Sequence, residues 1–297
     1  MITAGELGVI YAVMALGVYL TYRVLDFPDL TVDGSFTTGA ALSAVLIIVG
    51  APIWVAILAA VVGGFLAGVI TGLLHVWGNI NPLLAGILTQ IALYSINLRI
   101  LGKANVPLLR EETIMTPLRE LGIMGTWQAV GVFAIGAALI GLVTYLFLGT
   151  AYGVALRATG DNELMAKSQG INTGGAKIVG LAISNALVAL CGSFIAQYQG
   201  YADISMGIGL IVAGLASVII GQAIFGWTSV WQAVLAAMIG SVIYRVVIQL
   251  AMGAGLEPND MKLISAVLVV IALVLPNWSF FKKLRRRRRR VAEVGVA

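Results

Sequence analysis

The sequence predicts an all-α polytopic membrane protein of about nine transmembrane helices, with eight to ten allowed, built as an inverted internal repeat with interrupted helices. Three observations predict it. Of the 297 residues, 60% are apolar and only 10% charged, where a soluble domain carries roughly a quarter charged. Apolar stretches approaching the roughly 20 residues a spanning helix needs recur along the chain. Two patterns from the first third also return in the last third, an odd number of helices later.

The stretches fall at about 5–22, 36–50, 53–76, 82–101, 128–149, 175–197, 207–225, 229–252 and 261–276. The first lacks a basic n-region and a small-residue cleavage site, so it reads as a retained helix rather than a signal peptide. The second is short, with Pro28 and Gly34 before it. Together with Asn79 to Pro82, this marks broken or re-entrant segments, tolerated only where protein or water covers the backbone. Residues 103–127 form the longest non-spanning segment on the expected outer side. Mixed charges and Leu108, Leu109, Ile114, Met115, Leu118 and Leu121 suit it either to a short docking helix or to a connector on the membrane face. "GAGLEPND", 253–260, reads as an external turn.

Of 18 Lys and Arg, eight lie in "KKLRRRRRR" at 282–290; without them and Glu293 the rest holds 10 basic and 12 acidic residues. A basic run after the last apolar helix reads as a cytoplasmic stop that meets anionic headgroups, not as a nucleic-acid patch. With the tail inside, 12 cationic residues fall inside and 5 outside, but 4 and 5 once the tail is removed. Orientation by charge therefore rests on the tail alone. Cys191, the single cysteine, excludes a disulfide within the chain and reads as a small buried apolar residue.

"DLTVDGSFTTGAALSAVL" from Asp29 resembles "DISMGIGLIVAGLASVII" from Asp203, and "WVAILAAVVG" from Trp54 resembles "WQAVLAAMIG" from Trp231. The offsets are 174 and 177 residues, one shift with a small gap. Five helices separate the copies, so they point in opposite directions. Inverted repeats build solute pathways, with the binding region near the midplane where interrupted helices meet.

Catalysis finds little support. His75 stands alone at a helix end, without the Cys or His partners a metal site or a triad requires. No GxxxxGK[ST] phosphate loop occurs, so ATP would be hydrolysed by a separate chain. Polar groups inside spans are costly and mark pathways or interhelical bonds. The pathway candidates are Asp29, Thr31, Asp33, Ser35, Asn81, Gln197, Asp203 and Ser205, with Gln90, Asn97, Asn185 and Arg245 as further buried polar positions. Asp29 and Asp33 also fit caps of the second helix. Arg245 fits either a partner for an acid or a side chain reaching the outer headgroups.

"RATGDNELMAKSQGIN", 157–172, is a polar island between two apolar runs. Asp161 as N-cap and Gly170 as stop predict one short helix of about eight residues. Leu164, Met165 and Ser168 share one side, too small an apolar face to stand alone, so the helix must lie against lipid, its own bundle or a partner.

"ALRATGDNELMAKSQGI" resembles the cytoplasmic coupling segment of ABC transporter permeases of the branched-chain amino acid and ribose type. The N-terminal "GVIYAVMALGVYLTYRVLDFPDLTVDGSFTTGAAL" and "GLIVAGLASVIIGQAIFG" are also similar to that family, and "NPLLAGILTQIALYSINLRILGKANVPLL" to its tryptophan or tyrosine importer branch. Two departures stand out: Tyr152 to Leu156 and the "SQG" ending vary among members, and the six-Arg tail belongs to no family motif.

The resemblance implies a single permease domain at 1–281, with repeats at about 5–101 and 175–276, a coupling segment at 152–173 and a basic cytoplasmic tail at 282–297. It makes Arg157, Gly160, Asp161, Asn162, Glu163, Met165, Ala166 and Gly170 coupling positions. The implied partners are cytoplasmic ATPase subunits carrying ATP and Mg, an extracytoplasmic solute-binding protein and a second permease copy. The setting would be a bacterial inner membrane with the C-terminus cytoplasmic, and the cargo a small polar solute, an amino acid, with an aromatic one favoured by the resemblance. The competing reading is a stand-alone ion-coupled carrier or channel, with Asp29, Asp33 or Asp203 as its ion site.

Overall fold

The computed structural model describes residues 2–253 and 261–274. Helix α1 (Ile2–Tyr19) runs into a π-helical turn, Leu20–Val24. The chain then turns at Asp26, whose backbone is left-handed with φ 52°, a conformation Asp tolerates better than most residues. Helices α2 (Thr31–Ile48), α3 (Ile53–Val76) and α4 (Pro82–Leu101) complete the first repeat. Strand β1 (Asn105–Pro107), α5 (Thr116–Glu120) and α6 (Trp127–Gly149) lead to α7 (Ala151–Asp161) and α8 (Glu163–Ser168). The second repeat holds α9 (Thr173–Gln199), β2 (Tyr201–Asp203), α10 (Leu210–Phe225), α11 (Val230–Gly253) and α12 (Met261–Val274). Nine apolar helices thus stand, among the described residues, where nine apolar stretches recur. Seven are long and apolar enough to cross a membrane singly, while α10 has 16 residues and α12 has 14. The turn at 254–260 and the basic run and tail at 282–297 lie outside the described residues.

The packing carries the repeat. α1 packs on α11 as α9 packs on α3; α2 packs on α3 and α4 as α10 packs on α11 and α12. Individual contacts obey the same exchange. Ser184 Oγ donates to Gly17 O at 2.7 Å and Cys191 Sγ to Ile10 O at 3.4 Å. Under the 174-residue offset Ile10 maps to Ser184 and Gly17 to Cys191, so each contacting pair is the other's image, although α9 donates in both. Numbering rises along α1 as it falls along α9, so the equivalent helices are antiparallel and the repeat is inverted. With the 177-residue offset of the Trp54 and Trp231 match for α3 and α11, Gly8 against Arg245 and Gly68 against Ala182 form a second image pair. Residue i meeting the image of j, while j meets the image of i, is the signature of a twofold contact.

α1, α2 and α9 are mostly buried, whereas α3, α4 and α6 expose long rows of apolar side chains such as Leu58, Leu66, Leu88, Ile91, Leu139 and Val143. Exposed apolar surface on this scale fits hydrocarbon. In place of a hydrophobic drive between helices, small residues permit close approach. A Cβ on Gly39 would collide with the Ala189 carbonyl of α9, and one on Gly240 with the Ser217 carbonyl of α10.

Three local expectations change. α2 begins at Thr31 instead of 36, so Asp33 and Ser35 lie in its first turns and the break covers only 25–30; the Asp29 side chain starts the helix by accepting from Thr31 N at 2.9 Å. The break in the second repeat is longer, running from Gly200 (φ 79°) to Gly209 (φ 84°). Within it β2 pairs antiparallel with β1, Val106 opposite Ala202. The segment 103–127 is only partly a surface element. Leu108 and Met115 are buried, Leu109 and Leu121 are exposed, and its single helix, α5, has five residues.

Candidate functional site

At the end of the bundle carrying α7 and α8, Thr150 Oγ1 caps α7 by accepting from Gly153 N at 3.2 Å. α7 runs through Asp161, so the cap of α8 is Asn162, not Asp161. Its backbone is extended (φ −159°, ψ 100°) and its Oδ1 accepts from Met165 N at 3.0 Å. α8 stops at Gly170 (φ 80°), where Ile171 N returns to Ala166 O at 3.1 Å, the left-handed ending for which glycine is suited. Gly160 touches the Val24 carbonyl, and Ala166 is buried. Leu164 and Met165 project outward, 80% and 62% exposed.

Glu163 is the charged centre of this end. Its carboxylate meets Lys177 Nζ at 2.7 Å and Lys167 Nζ at 3.0 Å, and Thr173 Oγ1 donates to it at 3.4 Å. Hydrogen bonds from Lys177 and then Lys167 outweigh partial burial and hold the carboxyl at about 2. Lys177 Nζ also reaches His75 Nε2 at 3.4 Å, and His75 Nδ1 meets Ile80 O at 2.9 Å. A carbonyl only accepts, so Nδ1 carries the proton and Nε2 accepts from the ammonium. The Phe27 ring lies edge-on to the imidazole at 5.2 Å.

Arg157 and Arg23 line a neighbouring cavity of about 720 Å³ with Asp26, Asp161 and Trp227. The Arg23 guanidinium stacks over the Trp227 ring at 3.1 Å, and Arg157 Nε has no hydrogen-bond partner among the described residues.

A polar seam lies deeper. Asp29, 2% exposed, accepts from Thr31 N and, at 2.7 Å, from Asn185 Nδ2. Asn185 Oδ1 accepts from Ser35 Oγ at 2.6 Å. Thr31, Thr71 and Thr89 link their hydroxyls at 2.7 and 3.0 Å, tying α2, α3 and α4. Asn97 Nδ2 donates to Gly34 O at 3.3 Å. Asp33 reaches across the repeat, accepting from Gly209 N at 2.7 Å and Ile211 N at 2.8 Å, and so caps α10 from α2.

The other candidates lie apart. Asn81 is exposed near His75 and caps α4 through Leu83 N at 3.0 Å. Gln197 sits at the opposite end of α9, bonded to Ser43, Ser193 and Ile114 N. Asp203 and Ser205 lie near it by the strands, where Asp203 accepts from Ser205 and from Asn105 Nδ2. Burial raises the Asp203 carboxyl, but those donors outweigh it and leave it below the usual range. Arg245 pairs with no acid among the described residues and lies over the Tyr11 ring at 3.7 Å.

Sequence reasoning missed Glu6, which is buried at the strand end and accepts from Gly125 N at 2.8 Å and Tyr198 Oη at 2.7 Å. It also missed the joining of His75 and Lys177 to Glu163. The one available signal was an acid in α8 with a lysine at the foot of the next span.

Residues 5–274 match the family described as Branched-chain amino acid transport system / permease component. The chain is 42% identical over 268 residues, 90% of its length and 88% of the relative's, to the tyrosine transport system permease protein of Clostridioides difficile. It is 34% identical over 277 residues, 92% of its length and 96% of the other's, to uncharacterized protein RP368 of Rickettsia prowazekii. It is 28% identical to the autoinducer 2 import system permease protein LsrC of Escherichia coli, over 71% of this chain and 60% of that one. Among solved structures, PsaBC from Streptococcus pneumoniae in complex with Fab shares the fold at TM-score 0.52 and 18% identity, covering 91% of this chain and 88% of that one.

Proposed function

The chain belongs to the branched-chain amino acid transport system permease family and is an ABC transporter permease subunit; from that premise we propose that it forms the membrane path of a bacterial importer moving an amino acid by ATP-driven alternating access. The carrying observation is α8, a short helix stapled at Glu163 to α9 that leaves Leu164 and Met165 uncovered at one end of the bundle. An apolar pair on a fixed helix is the kind of anchor a partner's groove takes. The partner on this reading is a cytoplasmic ATPase subunit holding ATP and Mg, so the α8 end and the C-terminus face the cytoplasm. The strand end, with Asp203 and the exposed Leu109, faces an extracytoplasmic solute-binding protein. A second permease copy completes the path. An aromatic amino acid is the proposed cargo, supported by the tyrosine transport permease among its relatives.

Nucleotide-driven closure of the ATPases displaces α8, and the two antiparallel repeats rock about their shared axis to open the path to one side and then the other. ATP supplies the differential stabilisation that such a shift requires. A stand-alone ion-coupled carrier draws less support, because Asp29 and Asp33 are both engaged by N–H donors of their neighbours.

The test is purification of the tagged full-length chain from native membranes in mild detergent, beside Leu164→Asp/Met165→Asp. A stoichiometric ATPase that the wild type retains and the variant loses supports the reading. A wild-type chain that purifies alone and still moves tyrosine into liposomes overturns it.

A further inference from the structure

We infer that Lys177 and His75 are positioning residues that hand displacement of α8 on to α4, through the chain Glu163, Lys177, His75 and the Ile80 carbonyl; this rests on the importer reading above. The links measure 2.7, 3.4 and 2.9 Å and run from the first residue of α8, through the first turns of α9 and the last turn of α3, to the turn that opens α4. Nothing in the resemblance assigns either residue a role.

The neighbouring packing makes this route effective. α3 and α9 are locked together: a Cβ at Gly64, Gly68 or Gly72 of α3 would collide with the backbone of Asn185, Leu181 or Ile178 in α9. At the foot of the pair, a Cβ at Gly174 of α9 would strike the Val76 side chain of α3 at 2.8 Å. Close-packed interfaces transmit displacement instead of absorbing it, so a pull on Lys177 moves α3 and α9 as one unit. α4 belongs to that unit much less, since it packs chiefly on α2 and far more lightly on α3. Beside the Thr71–Thr89 hydroxyl bond at 3.0 Å, what connects α4 to the foot of α3 is the turn 77–81. Asn79 there is left-handed (φ 51°), Ile80 O is held by His75, and Asn81 caps the helix. The imidazole is therefore a rigid strut. It donates through Nδ1 to the α4 turn, accepts through Nε2 from Lys177, and is seated edge-on by Phe27.

The experiment uses the permease purified with its ATPase, in a Cys191→Ser background, with nitroxides on Leu84→Cys of α4 and Leu146→Cys of α6, both exposed positions. Addition of ATP with vanadate is expected to shift the distance distribution between the labels. His75→Ala abolishes the shift while the ATPase stays bound and hydrolyses ATP; Lys177→Met abolishes it as well, and the double variant loses no more than either single one. Lys177→Arg and His75→Gln, which keep a cationic donor and a donor–acceptor pair respectively, retain it. The shift surviving in either single variant, or no shift in the wild type with ATPase bound, overturns the relay alone. Absence of any bound ATPase overturns the importer reading and the relay with it.

Discussion

Asp33→Ala tests whether the two repeats are clasped by one carboxylate. Asp33 is 7% exposed and accepts from Gly209 N at 2.7 Å and Ile211 N at 2.8 Å, the N-cap and the first turn of α10. Removing the acceptor leaves two N–H groups unpaired, each costing about 1–3 kcal/mol when buried. Gly209 is exposed, so water recovers part of its share. A total of about 2–4 kcal/mol follows. At about 2–4 °C per kcal/mol for a chain of this size class, the melting temperature should fall by about 5–15 °C. Asp33→Asn keeps one acceptor oxygen but sets its amide N–H₂ against the second donor, so it should lose about half as much. The assay is thermal unfolding of the detergent-purified protein, followed by a thiol- or tryptophan-based signal. A change within about 2 °C for Asp33→Ala would refute the clasp. If Asp33 were instead an ion-coupling site, Asp33→Asn would leave the melting temperature unchanged and alter transport alone.

Glu163→Arg sets a third cation against Lys167 and Lys177; ATPase coupling should be abolished while the solute affinity of the binding protein stays intact, and surviving transport would count against the coupling assignment. The Glu163 carboxyl at about 2 lies below the usual 4.5, so its pairing contributes fully above pH 4.5 and fades only as pH falls toward 2. A carboxyl-carbon NMR titration of Glu163 should accordingly stay flat between pH 7 and 4.5. Because the chain has one histidine, its ring-nitrogen spectrum is assigned without mutagenesis. It should show the Nδ1–H tautomer, and an Nε2–H tautomer would remove the acceptor that Lys177 needs. Gly39→Val drives a branched side chain into the Ala189 carbonyl and should cost at least about 1–3 kcal/mol by overpacking, read as lower yield of folded protein by size exclusion.

Legibility followed the range of each interaction. The nine apolar helices are local signals, and each stands where its stretch recurs. α2 starts five residues before the apolar stretch because "DLTVDGS" is polar in composition, yet Asp29 and Asp33 are engaged by backbone N–H groups and so enter the bundle. Asp161 and Asn162 are near-equal caps; the choice fell to Asn162 because α7 extends through Asp161. The pairing of β1 with β2 joins three-residue segments nearly a hundred residues apart, which no periodicity can announce. His75, Lys177 and Glu163 come from three separate elements, so only the packing of α3 on α9 brings them together.

The inverted repeat also shows where direction enters. A perfectly twofold frame would give its two openings equal energy, and any preference must come from what breaks the symmetry. Asp29 and Asp203 start the same local turn, each accepting from the N–H two residues on, yet Asp29 is buried against Asn185 and Asp203 lies near the surface. Asp33 maps to Gly207, and the two touch, since a Cβ at Gly207 would strike the Asp33 carbonyl. A residue in contact with its own image places the axis between them, so the α10 clasp sits at the centre of the exchange while only one side carries the carboxylate. The 174-residue offset carries Lys177 to Thr3, and the 177-residue offset of the α3 and α11 match carries His75 to Met252. Neither image is charged, and among the described residues the ion pairs stand at the α8 end alone. The strand end is instead fixed by Glu6, held by Tyr198 and Gly125 N. The frame thus supplies two halves related by the repeat, and on the importer reading proposed above the charged chain Glu163, Lys177 and His75 is the place at one end from which an ATP-driven displacement would tilt them.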